Sequence, residues 1–362
     1  MADTPKKEIK LFYCYARKDK SLRDELEIQL SWLKRRYQLI NWHDHEILPG
    51  EEWEQAIDKH LNTAQLILLL ISPDFMASDY CYSKEMQRAL ERHKTGTCRV
   101  VPILLRPTYW EDAPFSSIQL LPTNAKPITS WSNSDEAFQD VVKEISRTIK
   151  DLLVSLKTKE EWCEEGNALY GLKHYMEAVI AFDQALRLDP NCARALQGKG
   201  DSLNDLKQYD EALTAYNQAI SLNPGFAEAY NGKGWTLNNL MRYQEALITL
   251  DKAIRLDPSL AWAYHNKGIA YTHLNCFDEA LTSYELAVLL DPNFAWAYNG
   301  KGIALYHLKR YDEALASYEL ALLLDPSLAV IYYNKGIALR SLKRYDEAKQ
   351  AIKKAQKLGF AG

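Results

Sequence analysis

The chain has 362 residues, more than one ordinary core accommodates, so two domains are expected. A net charge of -4, with 25% charged residues, leaves no basic footprint for nucleic acid or an anionic membrane. Six scattered cysteines without a CxxC pair exclude a zinc ribbon and a thioredoxin-like motif, and they suit a reducing cytosol.

The first residues, MADTPKKEIK, lack the apolar region of a signal peptide, and the longest apolar run, Leu66 to Ile71, is too short to span a bilayer. A cytoplasmic protein is therefore expected. From residue 10 onward, strand and helix patterns alternate. Strands are predicted over 10–15, 38–42, 65–72, 99–105 and 126–130. Helices are predicted over 20–36, with an apolar stripe at Leu22, Leu26, Leu30 and Leu33, and over 51–62, 77–93 and 135–153. This alternation implies a parallel sheet covered by helices on both faces, with ligands at the carboxyl ends of the strands.

The strand ends carry the informative residues. The first leads into Phe12-Tyr13-Cys14-Tyr15-Ala16-Arg17-Lys18-Asp19. The second leads into Trp42-His43-Asp44-His45-Glu46, then Pro49-Gly50-Glu51-Glu52-Trp53. The third leads through Ser72-Pro73-Asp74-Phe75 to Asp79-Tyr80-Cys81-Tyr82-Ser83-Lys84-Glu85. Together these segments resemble the TIR domain: its box 1, with Cys14 where Ser is more usual, its BB loop with the Pro-Gly turn, and its glutamate-bearing helix.

The resemblance implies a flavodoxin-like α/β fold with a five-stranded parallel sheet over residues 1–154. It also implies an activity. Many TIR domains hydrolyse NAD⁺ at the nicotinamide–ribose bond, leaving ADP-ribose or a cyclic isomer. Glu85 aligns with their catalytic carboxylate. Tyr15, Arg17, Trp42, Asp44, Tyr80, Cys81 and Trp131 are the expected substrate-binding residues. Arg17 is suited to a phosphate or ribose, and Trp42 and Trp131 to stacking on a ring, although each serves equally well as a structural side chain. Cys81 stands four residues before Glu85, where NAD-cleaving members often have Trp. Pro49, Gly50 and Trp53 of the BB loop are expected to contact a second TIR domain in an assembly.

Other chemistries find little support. His43 and His45 alternate along one potential face, yet no further ligand cluster accompanies them, so no metal site is expected. GxGxxG, GxxxxGK[ST] and GxSxG motifs are missing, and NAD⁺ enters as substrate with no cofactor.

Beyond residue 155 the sequence repeats every 34 residues. Proline recurs at 190, 224, 258, 292 and 326, and glycine at 166, 200, 234, 268, 302 and 336. Two alanine columns, beginning at Ala178 and Ala185, and an aromatic column beginning at Tyr175 keep the same step. Small residues allow helices to approach, aromatics fill the gaps, and proline ends each second helix. The order of these columns resembles the tetratricopeptide repeat. That resemblance implies six units over 155–362, forming an all-α superhelical solenoid.

Such an array binds rather than catalyses. The first helix of each unit lines the family's concave face, which places Trp235, Trp262, His265, Trp296, Asn299 and Tyr333 in a groove for an unidentified protein or ligand. Trp262 and Trp296 serve equally well as packing between units. The leading expectation is an NAD⁺ glycohydrolase effector of prokaryotic immunity or signalling, scaffolded by the repeats. The alternative is a non-enzymatic adaptor acting by TIR–TIR and repeat–partner contacts.

Overall fold

The computed structural model describes residues 8–42 and 52–360. It divides into two compact units, Met1–Lys157 and Thr158–Gly362.

The first unit is a parallel sheet of four strands among the described residues: β1 (Ile9–Cys14), β2 (Leu39–Trp42), β3 (Leu66–Ile71) and β4 (Arg99–Leu104). Their order is β2-β1-β3-β4. Every side chain of β3 is buried, as expected of a central parallel strand. Leu66, Leu68 and Leu70 point to one face, where they meet α1 (Lys20–Gln29), α2 (Ser31–Tyr37) and α6 (Ser134–Ser155). Ile67, Leu69 and Ile71 point to the other, against α3 (Trp53–Thr63) and α5 (Met86–Lys94). The strand period of two thus divides one apolar run between two cores. Each such buried side chain contributes about 1.5–3 kcal/mol.

Two expectations are corrected. The helix predicted over 77–93 is interrupted: a short α4 (Pro73–Met76) precedes a π-helical turn, Tyr80–Glu85, and only then does α5 begin. The fifth strand predicted over 126–130 is a 3₁₀ turn, Ile128–Ser130. Pro127 has no N–H to give a ladder. The edge beside β4 is held by isolated bonds, Leu104 N–H to Leu121 O at 2.7 Å and Thr129 N–H to Leu105 O at 3.1 Å.

The second unit is six helix pairs. They are α7 (Lys159–Gly171) with α8 (Tyr175–Leu188), α9 (Ala193–Asp205) with α10 (Tyr209–Leu222), and α11 (Ala227–Asn239) with α12 (Tyr243–Leu256). Then follow α13 (Ala261–His273) with α14 (Phe277–Leu290), α15 (Ala295–His307) with α16 (Tyr311–Leu324), and α17 (Ala329–Ser341) with α18 (Tyr345–Lys357). A capping box starts the array: Glu161 N–H donates to Thr158 Oγ1, and Thr158 N–H to Glu161 Oε2.

The 34-residue columns now have contacts. A large ring on the second helix, such as Tyr284, lies against a glycine of its own unit, Gly268, and one of the next, Gly300. A methyl added at Gly300 would sit 2.3 Å from the Tyr284 ring, which is itself buried. Between units, lysines repeat the same ion pair: Lys199 to Asp183 and Lys267 to Asp251, each at 2.7 Å, Lys301 to Glu285 at 3.0 Å and Lys335 to Glu319 at 2.8 Å.

Gly300→Ala should destabilise the array by about 1–3 kcal/mol through overpacking. Gly171→Ala, where an added methyl meets nothing, should be neutral or slightly stabilising. Denaturant midpoints of the two variants, compared with wild type, check the contrast.

Candidate functional site

At the carboxyl ends of β1 and β2 lies a cavity of about 350 Å³. Its lining includes Tyr15, Ala16, Arg17 and Lys18 after β1, Trp42 at the end of β2, Ile57 of α3, Asp74 of α4, and Ser78, Tyr80, Cys81 and Glu85 around the π-helical turn.

The π turn brings Tyr80 and Glu85, five residues apart, to the same cavity. Met86 N–H donates to Cys81 O, five residues back rather than four. One extra residue is therefore held in the turn, a local device common at functional sites. Glu85 is 6% exposed, yet it lines the cavity. Its Oε2 accepts a hydrogen bond from the Cys14 thiol at 2.7 Å. Burial pushes the Cys14 pKa well up, helped by the neighbouring Cys81 and Glu85, so the thiol stays protonated as a donor. Cys81 Sγ in turn faces Tyr15 O at 3.5 Å. Tyr80 is held as the neutral phenol, first by burial and then by the charge of Glu85. The thiol at this position thus places a weak, buried donor directly on the carboxylate.

A polar network lies behind Lys18 and Asp74 of the lining. Asp19, 1% exposed, accepts from Ser72 Oγ and from Arg106 Nε, the latter at 2.8 Å. Arg106 also grips Asp74, which Lys18 contacts at 2.7 Å. These partners, Arg106 first and then Lys18, hold the Asp74 carboxyl below its ordinary range. Arg106 follows β4 directly, so it ties together the segments after β1, β3 and β4. Sequence reasoning missed Asp19, Ser72 and Arg106 in this role. The signal was the strand-end rule, which applies to β4 as it does to the other three.

The cavity gathers Tyr15, Arg17, Trp42, Tyr80, Cys81 and Glu85 of the expected set. Two of the expected stacking roles are corrected. Trp42 contributes to the wall, but its ring is engaged by His60, stacked at 4.4 Å, and by Phe12 at 5.5 Å. Trp131 is not among the lining residues. It packs against the opposite core, donates Nε1–H to Lys126 O at 3.2 Å and lies under the Lys126 ammonium. Asp44, Pro49 and Gly50 lie outside the described residues, as does the Trp53 side chain. Among the described residues, no group of three or more His, Cys, Asp or Glu is arranged to hold a metal ion. No helix there is long and apolar enough to cross a membrane.

The expected groove residues of the second unit divide by exposure. Trp262 and Trp296 are exposed, and Trp235 and Tyr333 are half-buried. Tyr333 rests on Phe360, ring centres 4.7 Å apart. His265 and Asn299 are buried, which corrects their assignment to an open surface. Asn299 accepts from Asn334 at 3.0 Å, an amide contact between neighbouring first helices. His265 is enclosed by Trp262, Tyr284 and Phe294, and its Nδ1 is buried without a hydrogen-bond partner. Burial pushes its pKa down to about 4.

Residues 11–142 match the TIR domain family. Tetratricopeptide repeat families match 163–224, 198–261, 261–294, 295–328 and 329–358. Over 135 residues the chain is 51% identical to the uncharacterized protein y4lF of Sinorhizobium fredii, covering 37% of this chain and 42% of that one. It thus spans less than half the length of this curated relative. Among solved structures, the Cut9–Hcn1 tetramer of APC/C aligns with TM-score 0.54 at 20% identity, over 56% of this chain and 40% of that one. The type IV pilus biogenesis factor PilW aligns with TM-score 0.51 at 22% identity, over 55% and 92%. At such identities these two establish the helical-repeat fold alone.

Cys14→Ala removes the thiol donor from the buried Glu85 carboxylate and should destabilise the first unit by about 1–3 kcal/mol. Cys14→Ser should recover most of that loss, and urea midpoints read both. In the array, an unfolded His265 gains its proton near its ordinary value of 6.5, whereas the folded one refuses it until about pH 4. Stability should therefore fall by up to about 3 kcal/mol as the pH drops through that window. His265→Phe should flatten this slope in urea titrations at pH 7 and pH 4.5.

Proposed function

The chain belongs to the TIR domain family through its first unit and to the tetratricopeptide repeats through its second, and from that premise we propose that the Glu85 cavity cleaves NAD⁺ while the repeats bind a controlling protein. The pairing itself is that of a signalling or adaptor protein working by protein–protein contact. The observation that carries the enzymatic reading is Glu85: a nearly buried carboxylate, fixed by the Cys14 thiol, on the wall of a cavity with aromatic sides and a cationic rim.

The bond broken joins ribose C1′ to the nicotinamide nitrogen. That nitrogen is already cationic, so nicotinamide leaves neutral and takes no proton from the protein. The positive charge passes to the ribose ring, and the Glu85 carboxylate stabilises it in surroundings that water screens poorly. Attack by water yields ADP-ribose and a released proton. Attack by a nitrogen of the substrate's own adenine yields a cyclic isomer. Tyr15 and Tyr80 offer apolar walls to the nicotinamide end, and Arg17 and Lys18 offer positive charge to the diphosphate.

Uncontrolled, this reaction would exhaust the host's NAD⁺, so activity is held low until TIR domains assemble and share their sites. The repeats gather or separate the chains on binding their partner, which sets the local concentration. A role in prokaryotic defence, by depleting NAD⁺ or making a messenger, follows from that arrangement.

Incubation of the full-length protein with NAD⁺ should release nicotinamide, with specific activity rising with protein concentration. Glu85→Gln keeps the shape and removes the charge, so it should lower turnover at least about 100-fold with an unchanged melting temperature. Turnover retained in Glu85→Gln would overturn the assignment. NAD⁺ left intact at every concentration would favour the adaptor.

A further inference from the structure

The second helices of the repeats carry an exposed face that the family columns do not explain. On α14, Leu286, Leu289 and Leu290 are 39%, 74% and 40% exposed. One repeat later on α16, Leu320, Leu323 and Leu324 are 47%, 79% and 37% exposed. The pairs share repeat positions, so the leucines stand side by side on the array. The first two of these positions change character on either side. On α12 they are Lys252 and Arg255, and on α18 they are Lys354 and Lys357. An apolar centre two helices wide is thus bordered by cations at both ends. Leucines 74% and 79% exposed within one patch call for a partner surface.

The charges select the occupant. In a two-fold pairing of this face with a second copy, leucines would meet leucines, but α12 of one chain would meet α18 of the other, cation against cation. A bilayer fits poorly too. Glu285 and Glu319 flank the leucines and remain about half exposed in their pairs with Lys301 and Lys335. Sinking the patch into lipid would desolvate those pairs. A discrete helix can cover the leucines and leave the pairs wet. The occupant has to lie across the two leucine helices and reach the cations beyond them, and a helix of about 20 residues is about 30 Å long.

We propose that this face of α12–α18 docks an amphipathic helix of a partner protein, with an apolar middle and carboxylates at both ends. The site is separate from the groove of the first helices and does not depend on any reaction at Glu85. Leucines fill the centre of the interface, and the terminal cations set orientation and rate of encounter.

The test uses full-length protein and two synthetic helical peptides of about 20 residues. Both carry the same central leucine stripe, one with glutamates at its ends and the other with lysines. Fluorescence anisotropy should show the glutamate peptide binding at least about 10-fold more tightly. Leu289→Asp with Leu323→Asp should abolish its binding, with circular dichroism and melting temperature unchanged. Lys354→Glu with Lys357→Glu should shift the preference toward the lysine peptide. Equal affinity for both peptides, or binding that survives the leucine changes, would overturn the proposal. So would leucine-dependent sedimentation with phosphatidylglycerol vesicles in the absence of peptide binding, which would assign the face to a membrane. A leucine-dependent dimer by light scattering, again without peptide binding, would assign it to a second copy.

Discussion

A carboxylate kept out of water at the end of a buried strand is the constraint around which the first unit is built. Glu85 would be costly in this position without a partner. The protein meets that cost with a donor from β1, the Cys14 thiol, whose own burial keeps it protonated. The arrangement requires β1 to end against the π turn, whose extra residue lets Tyr80 and Glu85 line the same cavity. The network of Asp19, Ser72, Asp74 and Arg106 then fixes the neighbouring strand ends, so that the cavity has rigid walls. Preorganisation of this kind is what electrostatic stabilisation of a cationic transition state needs.

The second unit depends on a different constraint, the close approach of one helix pair to the next. Rings of the second helices fill space that glycines leave open on two neighbouring first helices, and the lysine–carboxylate pairs repeat between units. Each contact is between neighbours, so the array is uniform along its length while its surfaces remain free to vary. The exposed leucines of α14 and α16 show that freedom, since the same positions are basic in the units beside them.

Much of this was legible in the sequence because it rests on period. Alternate residues of β3 face opposite cores, and a 34-residue step recurs in five columns, so the parallel sheet and the helix pairs followed directly. Motif order placed Glu85, Tyr80 and Cys81 together, and the cavity contains all three. What escaped lacks a periodic signature. A π turn reads as helix in any apolar pattern, so the break before Glu85 was invisible. The 126–130 segment has strand-like residues, but Pro127 withholds the bond that a ladder needs. Trp131 and His265 were assigned by residue type, and burial among neighbours distant in sequence decided otherwise. Arg106 joins elements 87 and 32 residues away, a relation no local pattern encodes.

The extra residue in the Tyr80–Glu85 turn has an evolutionary consequence. A π turn differs from an α turn by one inserted residue, and each residue of an α-helix adds about 100° of rotation. With Met86, Ala89 and Leu90 held in the core, deleting one position between Tyr80 and Lys84 would restore regular helix, leave Glu85 beside Cys14 and turn Tyr80 by about 100°, away from the cavity. A single-codon insertion or deletion thus decides whether the carboxylate shares its cavity with that aromatic ring. On this scaffold, a lineage could gain or lose one wall of the site in one step without rebuilding the fold.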